Sequence, residues 1–127
     1  MGRPGGGHMD ITHLHLHVRD RPRSVAFYRH WFALREVSRG DEITFLQGDR
    51  EFLFALMDDP ARAPMPAWFH FGIRLDTAAD VRTMLAAMEA AGVPIVKPLF
   101  ESETLVSFRC ADPDAYPIEV YWSPEIA

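Results

Sequence analysis

The sequence has a single cysteine, no long hydrophobic run and no cluster of basic residues. A lone thiol such as Cys110 cannot form an internal disulfide and is typical of proteins in a reducing compartment, so we expect a cytoplasmic protein. The longest uninterrupted apolar run is Phe52 to Met57. Because a membrane span requires roughly 18 or more such residues, we expect no membrane partner.

The charge balance is acidic, with 13 Lys and Arg residues against 18 Asp and Glu residues and a net charge of −5. Proteins that bind nucleic acid concentrate basic residues on one face to neutralise phosphates. This chain has no such concentration, which argues against nucleic acid as the main partner. A length of 127 residues fits one domain of ordinary size.

Residues 1–9, MGRPGGGHM, are rich in glycine and lack any hydrophobic period. The pair His8-Met9 matches what a common cloning site encodes, so we interpret residues 1–9 as a vector-derived remnant. We expect residues 10–127 to form a single domain.

The chain contains the same pattern twice. Ile11–Val18 and Trp68–Leu75 alternate between polar and apolar residues, which predicts two half-buried strands. A helical stripe and then three short β-like runs follow each of these strands. The repeat predicts two modules of the order βαβββ, residues 10–57 and 67–122, joined by the proline-containing linker 58–66. Each module must bury one sheet face under its helix, which leaves the other face for a cavity.

Three strands place metal-capable side chains on this second face. His13 and His70 occupy equivalent positions in the two halves, 57 residues apart, and Glu119 lies on the polar side of the last strand, PIEVYW. Two neutral imidazoles and one carboxylate can bind a divalent ion such as Fe, Mn, Zn or Ni and leave positions free for water or substrate. We therefore predict one ion per site with these three residues as ligands. The alternative is that they are polar residues on a solvated sheet face.

Four short motifs occur in order along the chain, namely ITHLHLHVRD, AFYRHWFAL, HFGIRL and DPDAYPIEVYW. Together, from Asp10 to Trp122, they resemble the vicinal oxygen chelate superfamily of glyoxalases, fosfomycin-modifying enzymes, bleomycin-resistance proteins and extradiol dioxygenases. The resemblance implies an α+β fold in which the two modules form a cup-shaped mixed sheet with the helices on its outer face. It also implies a homodimer, and metal ligands at His13, His70 and Glu119.

The chain departs from one member of this superfamily in its ligand set. Glyoxalase I enzymes have a fourth protein ligand, a Glu in the last strand of the first module. Counting from the turn, the equivalent position is Phe54, which cannot bind a metal. Bleomycin-resistance proteins bind drugs without metal and generally lack the ligand set altogether.

Other residues on the same face are candidates for catalysis and substrate binding. His15 would lie about 7 Å from His13 along the strand, where an imidazole can act as a general acid or base. Alternatively, His15 forms a hydrogen bond to a neighbouring strand. We expect substrate contacts from an aromatic wall, a rim histidine and an anion-binding arginine: Phe54, Trp68, Tyr121, His17 and Arg74.

Two functions follow from these expectations. The first is a metal-dependent enzyme, a lyase, isomerase or dioxygenase, whose small substrate chelates the ion through two adjacent oxygens. The second is a metal-free or metal-assisted binding protein that holds an aromatic or peptide-like drug, in the manner of bleomycin-resistance proteins.

Overall fold

The computed structural model describes Gly7 and residues 9–124. The interpreted vector remnant, residues 1–9, therefore lies outside the described residues except for Gly7 and Met9. The chain divides into two compact units, the first ending at Arg62 and the second beginning at Ala63. In the part of the chain that is described, no helix is long and apolar enough to cross a membrane.

The first unit is a four-stranded sheet with one helix. Its elements are β1 (His13–Val18), α1 (Arg21–Phe32), β2 (Arg35–Arg39), β3 (Ile43–Gln47) and β4 (Leu53–Asp58). The strand order is β1-β4-β3-β2, with β1 parallel to β4 and the other neighbours antiparallel.

The second unit repeats this topology. Its elements are β5 (Phe71–Arg74), α2 (Ala78–Ala90), β6 (Ile95–Glu101), β7 (Val106–Ala111) and β8 (Pro117–Trp122). The order is β5-β8-β7-β6, again with the first strand parallel to the last. The predicted α+β class and the two βαβββ modules are confirmed.

A polar side chain directly before each helix caps its first turn. The Asp20 carboxylate accepts a hydrogen bond from the backbone N–H of Arg23 (3.1 Å), and the Thr77 hydroxyl accepts one from the backbone N–H of Asp80 (3.0 Å). Each cap satisfies a donor that has no partner within the helix. Gly92 follows α2 with a φ of +77°, a left-handed conformation that ends helices and that glycine adopts at little cost.

Each helix covers one face of its own sheet. The core of the first unit contains Leu16, Val18, Tyr28, Leu46 and Leu56, and that of the second contains Val81, Met88, Phe108, Ile118 and Val120. In β1 the residues between the buried ones are exposed, and these are His13, His15 and His17. The three histidines therefore lie on the face opposite the helix, as the alternation predicts.

The predicted orientation of Phe54 is wrong. Phe54 pairs with Leu14 across the β1–β4 ladder, so both side chains point to the helix-covered face. The Phe54 side chain is buried, and its ring centroid lies 4.6 Å from that of Tyr28 on α1. The first-module position that corresponds to Glu119 is instead Ala55, which pairs with His15 as Glu119 pairs with Gly72. This position also lacks a carboxylate.

Candidate metal site

Three neighbouring strands of the second unit bring polar residues to one face. Glu119 on β8 pairs with Gly72 on β5 and with Arg109 on β7. Residues that pair directly across a ladder share a face, so Arg109 and Glu119 point to the same side of the sheet. His70 lies directly before β5 and borders this face.

The His70 ring is oriented by the backbone next to it. Its Nδ1 lies 3.1 Å from the carbonyl oxygen of Trp68, and because a carbonyl only accepts, Nδ1 carries the proton. In the neutral ring the lone pair is then on Nε2. Metal-binding histidines are commonly fixed in this way by a hydrogen bond from the other ring nitrogen.

The Nε2 atom of His70 lies beside a carboxylate. The distance from His70 Nε2 to Glu119 Oε1 is 3.4 Å, and the two side chains are 34% and 23% exposed. Both side chains are therefore partly open to solvent. An imidazole lone pair and a carboxylate oxygen at this separation are two of the donors that Zn, Fe, Mn and Ni accept in proteins, so the residues present fit such an ion.

Arg109 is a site residue that the sequence analysis missed. Its Nη2 donates to His70 Nε2 at 3.3 Å. The alternation of β7 could have placed Arg109 on this face, because Val106, Phe108 and Cys110 are buried and the residues between them are not. That Arg109 lies opposite Glu119, however, depends on the register of the β7–β8 hairpin.

The turn between β7 and β8 fixes that register. Asp112 Oδ1 accepts hydrogen bonds from the backbone N–H groups of Asp114 (2.8 Å) and Tyr116 (2.9 Å). The backbone N–H of Asp112 donates to the Tyr116 carbonyl, and Ala115 has a φ of +67°. Both the side chain and the backbone of Asp112 therefore close the turn, which holds Glu119 opposite Arg109.

Tyr121 and Arg74 share this face, as the register Arg74–Tyr121 shows. A Cβ atom at Gly72 would lie 3.1 Å from Tyr121 Cε1, so the absence of a side chain at Gly72 lets the Tyr121 ring approach the backbone. Arg74 donates to the carbonyl oxygen of Ser123. Trp68, in the turn before His70, is 76% exposed.

The first unit contains the other candidate residues. His17 Nδ1 lies 2.9 Å from Asp59 Oδ2, a partner that the sequence analysis did not identify. The rings of His15 and His17 are 5.1 Å apart between centroids, and His13 Nδ1 lies 3.2 Å from the Thr12 hydroxyl. Asp59 is held near β1 because its backbone N–H donates to the Val18 carbonyl (2.8 Å).

The structure thus brings together His70 and Glu119, with Arg109 beside them, whereas His13 belongs to the first unit. Among residues 9–124, no group of three or more His, Cys, Asp or Glu side chains is assembled as a metal-binding cluster. The metal and substrate roles of the individual residues stay predictions.

Cys110 does not contribute a reactive thiol to this face. It pairs with Ile118 on the helix-covered side of the sheet and is fully buried. Burial disfavours the thiolate and raises the pKa of Cys110 to about 12. A cysteine in such a position acts as a small hydrophobic residue.

Known proteins share both the sequence pattern and the fold. A sequence model of the Glyoxalase/Bleomycin resistance protein/Dioxygenase superfamily matches residues 10–120. An uncharacterized protein of Pseudomonas aeruginosa (PA2024) is 30% identical over an alignment of 97 residues, and the match covers 69% of this chain and 69% of that protein.

Solved structures of similar fold include proteins of different named activities. A possible glyoxalase from Bacillus cereus has a TM-score of 0.78 at 24% identity, covering 89% of this chain and 98% of its own. The fosfomycin resistance protein FosX from Listeria monocytogenes has a TM-score of 0.80 at 18% identity, covering 93% and 96%. Lactoylglutathione lyase from Agrobacterium tumefaciens has a TM-score of 0.72 at 22% identity, covering 94% and 96%. At these identities, the structural similarity shows the fold alone.

Proposed function

Because this chain belongs to the Glyoxalase/Bleomycin resistance protein/Dioxygenase superfamily, we propose that it is a divalent-metal-dependent enzyme acting on a small substrate that chelates the ion through adjacent oxygens. The observation that carries the proposal is the His70–Glu119 pair. Its ring nitrogen and carboxylate oxygen lie 3.4 Å apart, and the contact of Nδ1 with the Trp68 carbonyl leaves the lone pair on Nε2.

We propose His13, His70 and Glu119 as the ligands. A divalent ion bound by them would act as a Lewis acid on the substrate oxygens or, if it is Fe(II), as the centre that activates oxygen. Two interactions within the second unit orient His70 and Glu119. The Trp68 carbonyl fixes the His70 tautomer, and the closed turn at Asp112 holds the strand that bears Glu119.

We propose His15 as the general acid or base of the reaction. It lies on the exposed face of β1, two residues from His13, and its ring neighbours that of His17. The Asp59 carboxylate bonded to His17 Nδ1 restrains the His17 ring, which supports a role for His17 in orienting substrate.

The proposed substrate contacts in the second unit are Trp68, Arg74 and Tyr121. Tyr121 and Arg74 are supported by the face that they share with Glu119, and Trp68 by its exposed indole. Phe54 is no longer among the substrate contacts, since its ring packs on Tyr28. The remaining residues offer aromatic surface together with one guanidinium, which suits a partly hydrophobic substrate that bears oxygen anions.

We also propose that the protein is a homodimer. Among the described residues, β1 and β2 are the outer strands of one sheet, and β5 and β6 those of the other. Outer strands carry backbone groups that favour pairing with another strand, and a second copy of the chain would satisfy them. Sedimentation at micromolar concentration should show a species of twice 14.5 kDa, and a species of 14.5 kDa alone would reject the dimer.

A drug-binding protein is the second candidate. It is favoured by the indole of Trp68, which is 76% exposed and could stack on an aromatic ligand. The two functions differ in turnover, since a drug-binding protein, with or without a bound metal, converts no substrate.

The experiment is a metal titration of chelator-treated protein with Zn, Mn, Ni and, without oxygen, Fe(II), followed by a screen of 2-oxoaldehyde–thiol adducts, catechols and epoxides. We expect one ion per chain, and we expect His70→Ala and Glu119→Gln to remove most of the affinity. Glu101→Gln is the matched control, because it removes a carboxylate of the same unit that pairs with Arg82 instead. Binding that is absent in the wild type, or unchanged in both site variants, would refute the proposal.

A further inference from the structure

Arg109 contacts the atom that a metal ion would need. Its Nη2 lies 3.3 Å from His70 Nε2 in hydrogen-bonding geometry, and a guanidinium, which is always protonated, can only donate. The acceptor is therefore the Nε2 lone pair. His70 has no second lone pair to offer, since its Nδ1–H is committed to the Trp68 carbonyl at 3.1 Å.

We propose that Arg109 competes with the metal: its guanidinium occupies the Nε2 lone pair of His70 until a divalent ion displaces it. This inference rests on the function proposed above. One lone pair cannot bind a metal and accept a hydrogen bond from Arg109 at the same time, so each event excludes the other. Arg109 is also the ladder partner of Glu119, so its positive charge and the carboxylate lie on the same face of the sheet.

After its displacement from His70, the guanidinium still repels the metal ion. Arg109 remains anchored on β7, and a charge of +1 about 6 Å from a charge of +2 weakens binding by roughly tenfold in a water-like dielectric. Loss of the hydrogen bond to His70 adds to this cost. Removing the guanidinium should therefore tighten metal binding, whereas removing a ligand should weaken it.

The test compares the Zn affinity of wild type, Arg109→Gln and Lys97→Gln by competition with a chromophoric chelator. Lys97 is the matched control, because it pairs with Arg109 from β6, on the side away from Glu119, and carries the same charge. We expect Arg109→Gln to bind Zn about tenfold or more tightly and Lys97→Gln to stay within about threefold of wild type. Circular dichroism and thermal melting check that all three proteins are folded.

The possible outcomes separate this inference from the proposed function. Equal affinity of wild type and Arg109→Gln would overturn the role of Arg109 while leaving the metal site intact. Equal tightening by Lys97→Gln would overturn it too, because the effect would then be a general one of charge. No Zn binding by any of the three proteins would overturn both proposals, whereas binding by all three that is tighter in Arg109→Gln alone would support the competition.

Discussion

Truncation of Phe54 should destabilise the protein, because this ring belongs to the core. The Phe54 side chain is 5% exposed, and its ring meets Tyr28 at 4.6 Å and 72°, an edge-to-face arrangement. Replacement of a buried Phe by Ala costs about 3–5 kcal/mol through lost burial and the cavity that remains, and the aromatic pair contributes about 0.5–1.5 kcal/mol of that. Since domains are stable by only about 5–15 kcal/mol, Phe54→Ala should lower the urea midpoint greatly.

The matched control is Phe52→Ala, which truncates the same side chain two residues earlier. Phe52 is 44% exposed, so its truncation should cost less than about 1 kcal/mol. Urea unfolding followed by circular dichroism measures both values. If Phe54→Ala costs no more than Phe52→Ala, Phe54 does not lie under α1, and the reasoning from the β1–β4 register fails.

Three further predictions concern separate parts of the molecule. Burial raises the pKa of Cys110 to about 12 from an ordinary 9.0, so between these pH values the native thiol keeps its proton while the unfolded one loses it. The stability due to this group is therefore complete below pH 9. Between pH 9 and 12, the free energy of unfolding falls by about 1.4 kcal/mol per pH unit. The unfolding free energy of Cys110→Ala should show a correspondingly weaker decline, and identical pH profiles would reject this. Thr77→Ala should cost about 1 kcal/mol in urea unfolding through loss of the cap on Asp80, and a loss near zero would contradict the cap. His15→Gln should keep the metal content while lowering turnover by about 10²–10⁴-fold, and loss of metal would instead make His15 a ligand.

The fold could be predicted where local chemistry decides the structure. The alternation in β1 predicts the exposed row His13, His15 and His17, and the caps Asp20 and Thr77 mark the helix starts. These features depend on residues within a few positions of one another, and the sequence contains them directly.

The orientation of Phe54 could not be predicted in the same way. The run Phe52 to Met57 is apolar at every position, so it has no alternation that distinguishes two faces. The face of each residue is then decided by the hydrogen-bonded register with β1, which joins residues about 40 positions apart. Counting from the turn gives Phe54 as the equivalent of Glu119, whereas the ladder gives Ala55. A shift of one residue assigns a side chain to the opposite face of the sheet.

The candidate site likewise has one part that local sequence predicts and another that depends on strand pairing. The residue types of His70 and Glu119 and the sheet face that they border could be read from alternation, and the structure places their side chains 3.4 Å apart. The contact of Arg109 with His70 depends on two strand pairings and on the turn at Asp112, none of which the sequence makes explicit. The hydrogen bond from His70 to the Trp68 carbonyl likewise depends on the backbone before β5.

The most direct test is a crystal structure of the Zn-loaded protein at a resolution that identifies the ligand atoms. We expect Zn within about 2.0–2.2 Å of Nε2 of His70 and His13 and of a carboxylate oxygen of Glu119. The Trp68 carbonyl should still accept from His70 Nδ1, and Arg109 should have left Nε2. Zn bound elsewhere on the chain, or through Nδ1 of His70, would contradict the proposed site.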